Sequence, residues 1–413
     1  MKTVFFTLLS LITMTACASN YTDLTVNDFE KTAYDGICAI VDVRTPEEYA
    51  AGHLRDAANC DWEAEGFLEA IQAKYPKEAP LAIYCRTGRR SAGAAAKLAG
   101  AGYTIYNLQG GIEAWTAAGK PTQTYEVEIF FTESFSPVAI TLLKHGTLAL
   151  SYQGATIHID PVSGLGKPTD YAKEFPKADA IFITHEHGDH LDKEAVSALC
   201  EKGKTLLIAN PNSVQQLGLG IAQRNGDEGE LACGIQFAAV PAYNYSEGRT
   251  GFHPKGRDNG YVFDIEDLRI YVAGDTEDIP ELADIEDVDI VFLPVNQPYT
   301  MTVEQCVKAA KVLRPRILIP YHFSNTDLSA LPGQLPGIEV LLRQMQSRIC
   351  NPVANKSRYL CVKKETTCHA KKPSSRPSCW SVSAPACTSC TISPSSTISG
   401  DTSSRSRRAS WRT

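Results

Sequence analysis

The sequence predicts an α/β protein with two folded domains, and three observations support this prediction. Residues 21–121 alternate short apolar runs with helical stretches, which is typical of a mostly parallel sheet covered by helices. Residues 125–346 contain more strands than helices, which favours sheets stacked in layers. From about residue 348 the apolar periodicity stops, and Ser, Thr, Lys, Arg and Cys dominate a segment that is not expected to form a core.

The charge is distributed unevenly along the chain. The 413 residues carry a formal net charge of −7, which argues against a nucleic-acid-binding protein. From Arg348 onward the charge is about +10, whereas the remainder carries about −17. We therefore interpret residues 347–413 as a basic, Ser- and Cys-rich tail that is either disordered or translated out of frame.

The N-terminal residues match the pattern of an export signal. An apolar run over residues 4–14 is too short to span a bilayer, and it leads into Met14-Thr15-Ala16-Cys17. Small residues before a cysteine resemble the lipobox of bacterial lipoproteins, which implies a signal peptide over residues 1–17 and a lipid on Cys17. The alternative is a plain signal peptide cleaved near Ala16 or Ala18. We expect a cell-envelope protein, periplasmic or on the outer surface, that touches the membrane only through this anchor.

The elements of residues 21–121 follow the α/β pattern in order. Short continuous apolar runs indicate strands buried on both faces, and the Ala-rich stretch indicates a helix. The predicted strands are 38–43, 81–84 and 104–108, the predicted helices are 63–74, 91–101 and a segment around Trp115, and residues 119–122 are a predicted linker.

A cysteine-containing loop links a buried strand to a helix in this first domain. The segment Cys85-Arg86-Thr87-Gly88-Arg89-Arg90-Ser91 places the sulfur where backbone N–H groups at a helix N-terminus favour a thiolate. Three arginines add positive charge. A thiolate here could attack a sulfur donor, and the persulfide formed would lie among the same N–H groups.

This loop and two flanking segments resemble the rhodanese family. The loop matches its C-R-x-G-x-R pattern, Asp42 to Leu54 matches its D-x-R…E-[FY]…G-H-[IL] segment, and Leu108 to Trp115 matches its L-x-G-G-x-x-x-W segment. The resemblance implies a rhodanese-like parallel-sheet domain over residues 21–121. It further implies that Cys85 carries sulfur and that Arg86 and Arg90 bind an anionic donor such as thiosulfate or a persulfide.

The cysteine loop admits two other interpretations. A cysteine phosphatase uses C-x5-R and would need an arginine where Ser91 stands, so this class is disfavoured. An inactive rhodanese module used only for binding usually lacks the cysteine, which is present here.

The elements of residues 125–346 are mainly strands. Helices at 193–201 and 302–313 interrupt them, and the pattern indicates a layered sandwich. The predicted strands are 127–132, 147–152, 155–160, 180–184, 205–209, 235–240, 261–265, 269–273, 290–293 and 316–320.

Histidine and aspartate residues cluster at the ends of these strands. The strand 180–184 leads directly into His185-Glu186-His187-Gly188-Asp189-His190, which places three histidines and an aspartate within six residues. Asp160, Asp275 and His322 each follow another predicted strand, and layered α/β proteins gather their sites at such carboxyl ends. Imidazole and carboxylate ligands suit zinc, and also iron or manganese.

The H-x-H-x-D-H run, with Gly274-Asp275-Thr276 and His322, resembles the metallo-β-lactamase superfamily. The resemblance implies an αββα metallo-β-lactamase-fold sandwich over residues 125–346 with one or two zinc ions, iron or manganese being possible alternatives. By the same resemblance, one metal site contains His185 and His187, and the second contains Asp189, His190 and His322. Asp275 would bridge the two sites, and Asp160 would contact the ligands without binding a metal itself.

The sequence departs from the superfamily pattern at one position. Many members have a further histidine after the strand that here ends at Val240-Pro241, whereas this chain has Tyr243-Asn244. Either His253 substitutes for it, or the first site is weak and one metal dominates. Asp189 or Asp275 would position the attacking water or accept its proton.

These interpretations predict an exported enzyme that hydrolyses a small-molecule substrate with a metal and transfers sulfur through Cys85. One alternative is a sulfur-oxidising enzyme resembling the persulfide dioxygenases, which pair the same two folds but use iron. The other is a non-enzymatic envelope protein in which the rhodanese module senses sulfur.

Overall fold

The computed structural model describes residues Tyr21–Met345. The predicted signal peptide with Cys17 and the tail 347–413 lie outside the described residues. Between Tyr21 and Met345, none of the helices combines the length and the apolar composition needed to cross a bilayer.

The first domain is a five-stranded parallel sheet with helices packed on it. The strand order is β1-β5-β4-β2-β3, so the carboxyl ends of all five strands lie at one edge, where Cys85 follows β4. In chain order the elements are Thr22–Leu24 (β1), Val26–Ala33 (α1), Ala39–Asp42 (β2), Pro46–Ala51 (α2), Ala57–Asn59 (β3), Phe67–Lys74 (α3), Leu81–Tyr84 (β4), Arg89–Gly100 (α4), Ile105–Leu108 (β5) and Gly111–Ala117 (α5).

Local sequence signals explain several boundaries in this domain. Thr45 and Glu48 form a capping box around the first turn of α2, with Pro46 at its first position. The helix predicted from residue 63 begins only at Phe67, because Gly66 precedes it in a left-handed conformation at φ +79°. The fully buried strand β4 explains why its sequence shows a continuous apolar run.

The second domain contains two seven-stranded sheets. Their strand orders are β12-β11-β10-β9-β8-β7-β6 and β13-β14-β15-β16-β17-β18-β19, each antiparallel at one end and parallel at the other. The strands are Glu126–Phe131 (β6), Pro137–Lys144 (β7), Thr147–Tyr152 (β8), Ala155–Ile159 (β9), Ala180–Ile183 (β10), Leu206–Ala209 (β11), Ile221–Ala222 (β12), Glu228–Glu230 (β13), Gln236–Ala242 (β14), Asp258–Ile265 (β15), Leu268–Val272 (β16), Ile290–Pro294 (β17), Ile317–Tyr321 (β18) and Glu339–Val340 (β19).

The two sheets stack face to face with helices outside. Phe182 of the first sheet packs edge-to-face on Phe237 and Phe263 of the second, at centroid distances of 5.0 and 4.9 Å. The αββα sandwich implied by the resemblance is thereby confirmed. The helices are Tyr171–Glu174 (α6), Lys193–Leu199 (α7), Pro211–Leu217 (α8), Val303–Leu313 (α9) and Leu331–Gln334 (α10), and a short 3₁₀ helix spans Pro280–Asp284.

Several predicted boundaries in this domain were wrong. Strand β7 (Pro137–Lys144) was missed because all eight residues are buried and therefore show no polar alternation. The strand predicted to end at residue 240 continues to Ala242, and the strand predicted from residue 261 begins at Asp258. The helix predicted over residues 193–201 ends at Leu199.

The two domains share a buried apolar cluster. Val127, Ile129 and Ala139 of the second domain pack in one cluster with Phe67 and Ile71 of the first. The predicted linker leads into Gln123, whose backbone exchanges two hydrogen bonds with that of His53, at 2.8 and 2.9 Å. A continuous core of this kind fixes the two domains together, so they are not joined by the linker alone.

Candidate metal centre and sulfur-transfer loop

The predicted metal ligands converge between the two sheets. The loop after β10 supplies His185, His187, Asp189 and His190, while Asp275 and His322 follow β16 and β18. Their ligand atoms, with those of His145 and His253, form three overlapping groups in which all atoms lie within 4.8 Å of one another. We call His185/His187/His253 the first group and His145/Asp189/His190/His322 the second group, and the third set, His185/His190/Asp275, links them.

The first group contains the third histidine that the sequence left undecided. His253 lies with His185 and His187, which is the arrangement expected if His253 substitutes for the missing histidine. It comes from the loop before β15 and not from the end of β14. Asn244 stands in the region where the superfamily histidine was expected, and its Oδ1 accepts the Nδ1 hydrogen of His253 across 2.6 Å.

Asp275 lies between the two groups, as the resemblance implies. Its Oδ1 is 3.2 Å from His190 Nε2, and its Oδ2 is 3.3 Å from His322 Nε2 and 3.4 Å from His253 Nε2. One carboxylate therefore reaches histidines of both groups, which is the arrangement that a bridging ligand needs.

Hydrogen bonds at Nδ1 turn three of the imidazoles towards the centre. His185 Nδ1 bonds Thr184 Oγ1 across 3.0 Å, and His190 Nδ1 bonds Asp160 Oδ2 across 2.7 Å. With the His253–Asn244 bond, each ring has a partner on its outer nitrogen, which is how proteins orient metal-binding histidines. Asp160 is itself held by the backbone N–H and the hydroxyl of Thr184.

The inward nitrogen atoms show that the site fits a metal ion. The Nε2 atoms of His185, His190, His253 and His322 are buried. The contacts of three of them with Asp275 do not have hydrogen-bond geometry, so none of the four has a hydrogen-bond partner within residues 21–345. Buried polar atoms are seldom left without a partner, because each one costs free energy. Neutral imidazole and carboxylate donors at these positions suit zinc, iron or manganese.

Burial sets the charge of the first group. It lowers the pKa of His185 well below the ordinary value and lowers that of His253 to about 4. Burial also lowers the pKa of His187, with a further contribution from the charge of Arg257. These imidazoles are therefore neutral near pH 7 and can offer a lone pair.

Carboxylates set the charge of the second group. Burial lowers the pKa of His190, but Asp275 and Asp160 outweigh it and raise that pKa well above the ordinary value. Burial raises the pKa of Asp189, but the hydrogen bond from His145 and the proximity of His322 and His190 hold that pKa well below the usual range. The electrostatics of this group therefore favour a positive charge beside His190.

The residues after Asp275 hold the loop that carries His253. Glu277 is fully buried, and its Oε2 accepts the backbone N–H groups of Tyr245 (2.9 Å) and Ser246 (2.8 Å). Its Oε1 accepts from Arg249 Nη1 across 3.0 Å. The segment after β16, which carries Asp275, thus also fixes the loop that carries His253.

The sulfur atom of Cys85 lies in the predicted surroundings. Its Sγ accepts the backbone N–H of Gly88 at 3.2 Å and the hydroxyl of Ser91 at 3.4 Å, at the start of α4. Burial raises the pKa of this thiol, but the hydrogen bonds from Ser91, Thr87 and Gly88 outweigh it and lower the pKa below the ordinary value. The loop therefore favours the thiolate, which is the nucleophilic form.

The two arginines predicted to bind a donor each pair with a carboxylate. Arg90 makes two hydrogen bonds of 2.7 Å to Glu48. Arg86 Nε lies 2.8 Å from Glu113 Oε1, and its side chain is 64% exposed. Arg86 is therefore the more accessible of the two, and the role of both in donor binding stays a prediction.

Sequence reasoning missed three residues of the metal centre: His145, Asn244 in its orienting role, and Glu277. His145 begins the two-residue β7–β8 turn and was overlooked together with strand β7. The signal that could have found it is a His-Gly pair between an apolar run and the strand that starts at Thr147.

Comparison with known protein families places both domains. Residues 25–118 match the model of the rhodanese-like domain, and residues 139–322 match that of the β-lactamase superfamily domain. The order of the two domains inferred from the sequence is confirmed.

Relatives of the second domain are metal-dependent hydrolases by name. A UPF0173 metal-dependent hydrolase of Pyrococcus furiosus is 31% identical over 203 residues, covering 46% of this chain and 85% of the relative. One of Staphylothermus marinus is 34% identical over 174 residues, covering 41% and 72%. A crystal structure from Parabacteroides distasonis, assigned as a metal-dependent hydrolase, is 50% identical with a TM-score of 0.51, covering 54% of this chain and all of that one. This chain belongs to the UPF0173 metal-dependent hydrolase family, and its hydrolase-family domain follows a rhodanese-like domain.

Proposed function

We propose that the second domain hydrolyses a small-molecule substrate at a centre of two metal ions. The observation that carries this proposal is the set of four buried Nε2 atoms, on His185, His190, His253 and His322, that point inward without a hydrogen-bond partner in residues 21–345. A divalent metal ion, when bound, would supply Lewis acidity and lower the pKa of a water molecule to near neutrality.

The residues of the centre have different proposed roles. The histidines would hold the ions, and hydrogen bonds to Thr184, Asp160 and Asn244 fix the orientation of His185, His190 and His253 respectively. The Asp189 side chain is 37% exposed, whereas that of Asp275 is 3% exposed. Asp189 is therefore the carboxylate that substrate and solvent can reach, and its free oxygen can accept a hydrogen bond from the attacking water.

Metal removal and replacement test this proposal. Purified full-length protein is expected to contain zinc, iron or manganese, to hydrolyse a member of a lactone and phosphodiester panel, and to lose that activity to a chelator. Activity should return when the ion is added back, whereas His190→Ala should stay inactive. Hydrolysis that survives complete removal of metal would contradict the proposal.

We further propose that the first domain transfers sulfur through Cys85. The Cys85 thiolate attacks the outer sulfur of thiosulfate, the S–S bond of the donor breaks, and sulfite leaves with the electron pair. The resulting persulfide passes its outer sulfur to a thiophilic acceptor such as cyanide, which regenerates the thiolate. The hydrogen bonds from Gly88 and Ser91 to Sγ support this proposal, because they stabilise negative charge at the position of the sulfur.

Substitution of the cysteine tests sulfur transfer separately from hydrolysis. Cys85→Ser is expected to abolish thiocyanate formation and the persulfide detected by mass spectrometry, while metal content stays the same. Undiminished transfer by this variant would contradict the role of Cys85. Full metal occupancy without turnover in either assay would favour the sulfur-sensing alternative, and bound iron with oxygen-dependent consumption of a persulfide would favour the dioxygenase alternative.

We propose that the chain is exported and anchored to the cell envelope through a lipid on Cys17. The apolar run before Met14-Thr15-Ala16-Cys17 supports this proposal. Bacteria that express the full chain should incorporate labelled fatty acid into it, and Cys17→Ala should abolish the label. Equal labelling of both proteins would contradict the anchor.

A further inference from the structure

His145 lies beside the metal-binding side chains, in the turn between β7 and β8. Its backbone adopts the left-handed region at φ +47°, which non-glycine residues seldom occupy and which concentrates at functional sites. The residue is only 8% exposed. A histidine held in this way at the edge of the centre needs an explanation beyond that of a surface turn.

The turn contacts two of the candidate ligands closely. The ring of His145 packs on the ring of His322 with centroids 3.6 Å apart, and the backbone N–H of His322 donates to the His145 carbonyl oxygen across 3.0 Å. Gly146 lies against His190, because a Cβ atom at this glycine would come within 2.6 Å of His190 Cε1. The absence of a side chain at Gly146 therefore lets the turn approach the centre.

A hydrogen bond joins His145 to a third candidate ligand, Asp189. His145 Nε2 lies 3.1 Å from Asp189 Oδ2. An ionised carboxylate can only accept, so Nε2 carries the hydrogen. This distinguishes His145 from His190 and His322, whose Nε2 atoms have no hydrogen-bond partner among residues 21–345.

Among the candidate ligands Asp189, His190 and His322, the Asp189 side chain is the one that packing does not hold in place. Its side chain is 37% exposed, whereas the side chains of His190 and His322 are at most 1% exposed and are fixed by packing. A carboxylate at a partly open position can rotate about its terminal bond unless one oxygen is held. The bond from His145 holds Oδ2 and leaves the other oxygen free.

We propose that His145 is a positioning residue that fixes the Asp189 carboxylate for metal binding and for the attacking water. This inference rests on the proposed hydrolase function. Outer partners that orient metal ligands typically contribute 10–100-fold, in order of magnitude, to metal affinity or activity. The effect of His145 is therefore expected at the group of Asp189, His190 and His322, and not at the group of His185, His187 and His253.

Three substitutions of His145 separate its N–H group from its packing. His145→Phe keeps a ring against His322 but cannot donate. His145→Asn tolerates the left-handed backbone but is too short to reach Asp189. His145→Gln places an N–H group near the position of Nε2 and is the rescue variant.

The experiment measures the affinity of full-length protein for each zinc equivalent, by competition with a chromophoric chelator, and the visible spectrum of the cobalt-loaded form. His145→Phe and His145→Asn are expected to lose about 10–100-fold in affinity for one equivalent only and to change the cobalt spectrum, while His145→Gln recovers most of both. Wild-type binding by His145→Phe and His145→Asn would overturn the proposal. So would an equal loss in all three variants, because the imidazole itself would then be needed. Wild-type protein that binds metal but hydrolyses nothing would contradict the hydrolase function alone.

Discussion

His253 donates its Nδ1 hydrogen to Asn244 Oδ1 across 2.6 Å, and the backbone N–H of Asn244 donates to the His253 carbonyl oxygen across 2.8 Å. Two hydrogen bonds thus close the loop between these residues. The loop brings a histidine to the first group from a later position in the chain than the superfamily pattern predicts.

Removing the Asn244 amide should weaken the first metal group. Asn244→Leu keeps a similar volume but lets the His253 ring rotate, so we expect a loss of roughly 10–100-fold in affinity for one metal equivalent. Chelator competition measures this loss. Asn107→Leu, at a buried asparagine of the first domain, is the matched control and should bind metal as the wild type does. Unchanged affinity in Asn244→Leu would mean that packing alone orients His253.

Removing the Ser91 hydroxyl should raise the pKa of the Cys85 thiol. This hydroxyl donates to Sγ and stabilises the thiolate, so Ser91→Ala should shift the pH dependence of alkylation at Cys85 to higher pH. Iodoacetamide labelling across pH, followed by mass spectrometry of the Cys85 peptide, measures the shift. If the profile moves downward or stays in place, the backbone N–H groups alone set the pKa.

His158 should make the folded state less stable in acid. It is fully buried, neither ring nitrogen has a hydrogen-bond partner within the described chain, and burial lowers its pKa to about 3. Below the unfolded value of about 6.5, the unfolded state binds the proton and the folded state does not, so stability falls as pH falls from that value towards 3. Near pH 5 the loss is about 2 kcal/mol.

Replacing His158 should remove this dependence on pH. His158→Phe suits an apolar site beside Tyr171 and Phe175 and has no proton to bind. The difference in the free energy of unfolding between pH 7.5 and pH 5, from urea titrations, should shrink by about 2 kcal/mol relative to the wild type. An identical difference in both proteins would show that His158 does not control acid stability.

Two truncations should separate the tail from the folded chain. Ending the chain after Gln346 should leave thermal stability and both activities nearly unchanged, because the tail has few large apolar residues to offset its ordering entropy. Ending it after Leu341 removes the bond from Arg343 to Glu128 (2.7 Å) and the buried side chain of Met345, and should lower the melting temperature by several degrees. The prediction is wrong if the protein that ends at Leu341 has the same melting temperature as the protein that ends at Gln346.

Much of the fold could be predicted from the sequence, because the candidate metal ligands directly follow the predicted strands. Strands β4 and β8 begin and end at the predicted residues, and the H-x-H-x-D-H run lies at the end of β10 as expected. Strand β7 was missed since burial on both faces removes the alternation that indicates a strand, and His145 was missed with it.

Other features depend on contacts between distant segments, which a single sequence does not encode locally. The apolar residues of β6 and β7 have the same sequence pattern whether they pack in the core of the second domain or against the first domain. That His253 would lie beside His185 and His187 was one of two open alternatives, because the length of the loop after Ala242 does not show which of its residues comes back to the other histidines. The pairing of Arg90 with Glu48 likewise joins residues 42 positions apart.

Metal titration of two single-histidine variants tests the central claim most directly. Wild-type full-length protein should bind two zinc equivalents, while His185→Ala and His190→Ala should each lose affinity strongly and to a comparable degree. This is expected because His253 completes the first group as His322 completes the second. Binding of a single equivalent by the wild type, with a loss in His190→Ala and none in His185→Ala, would contradict a centre of two metal ions.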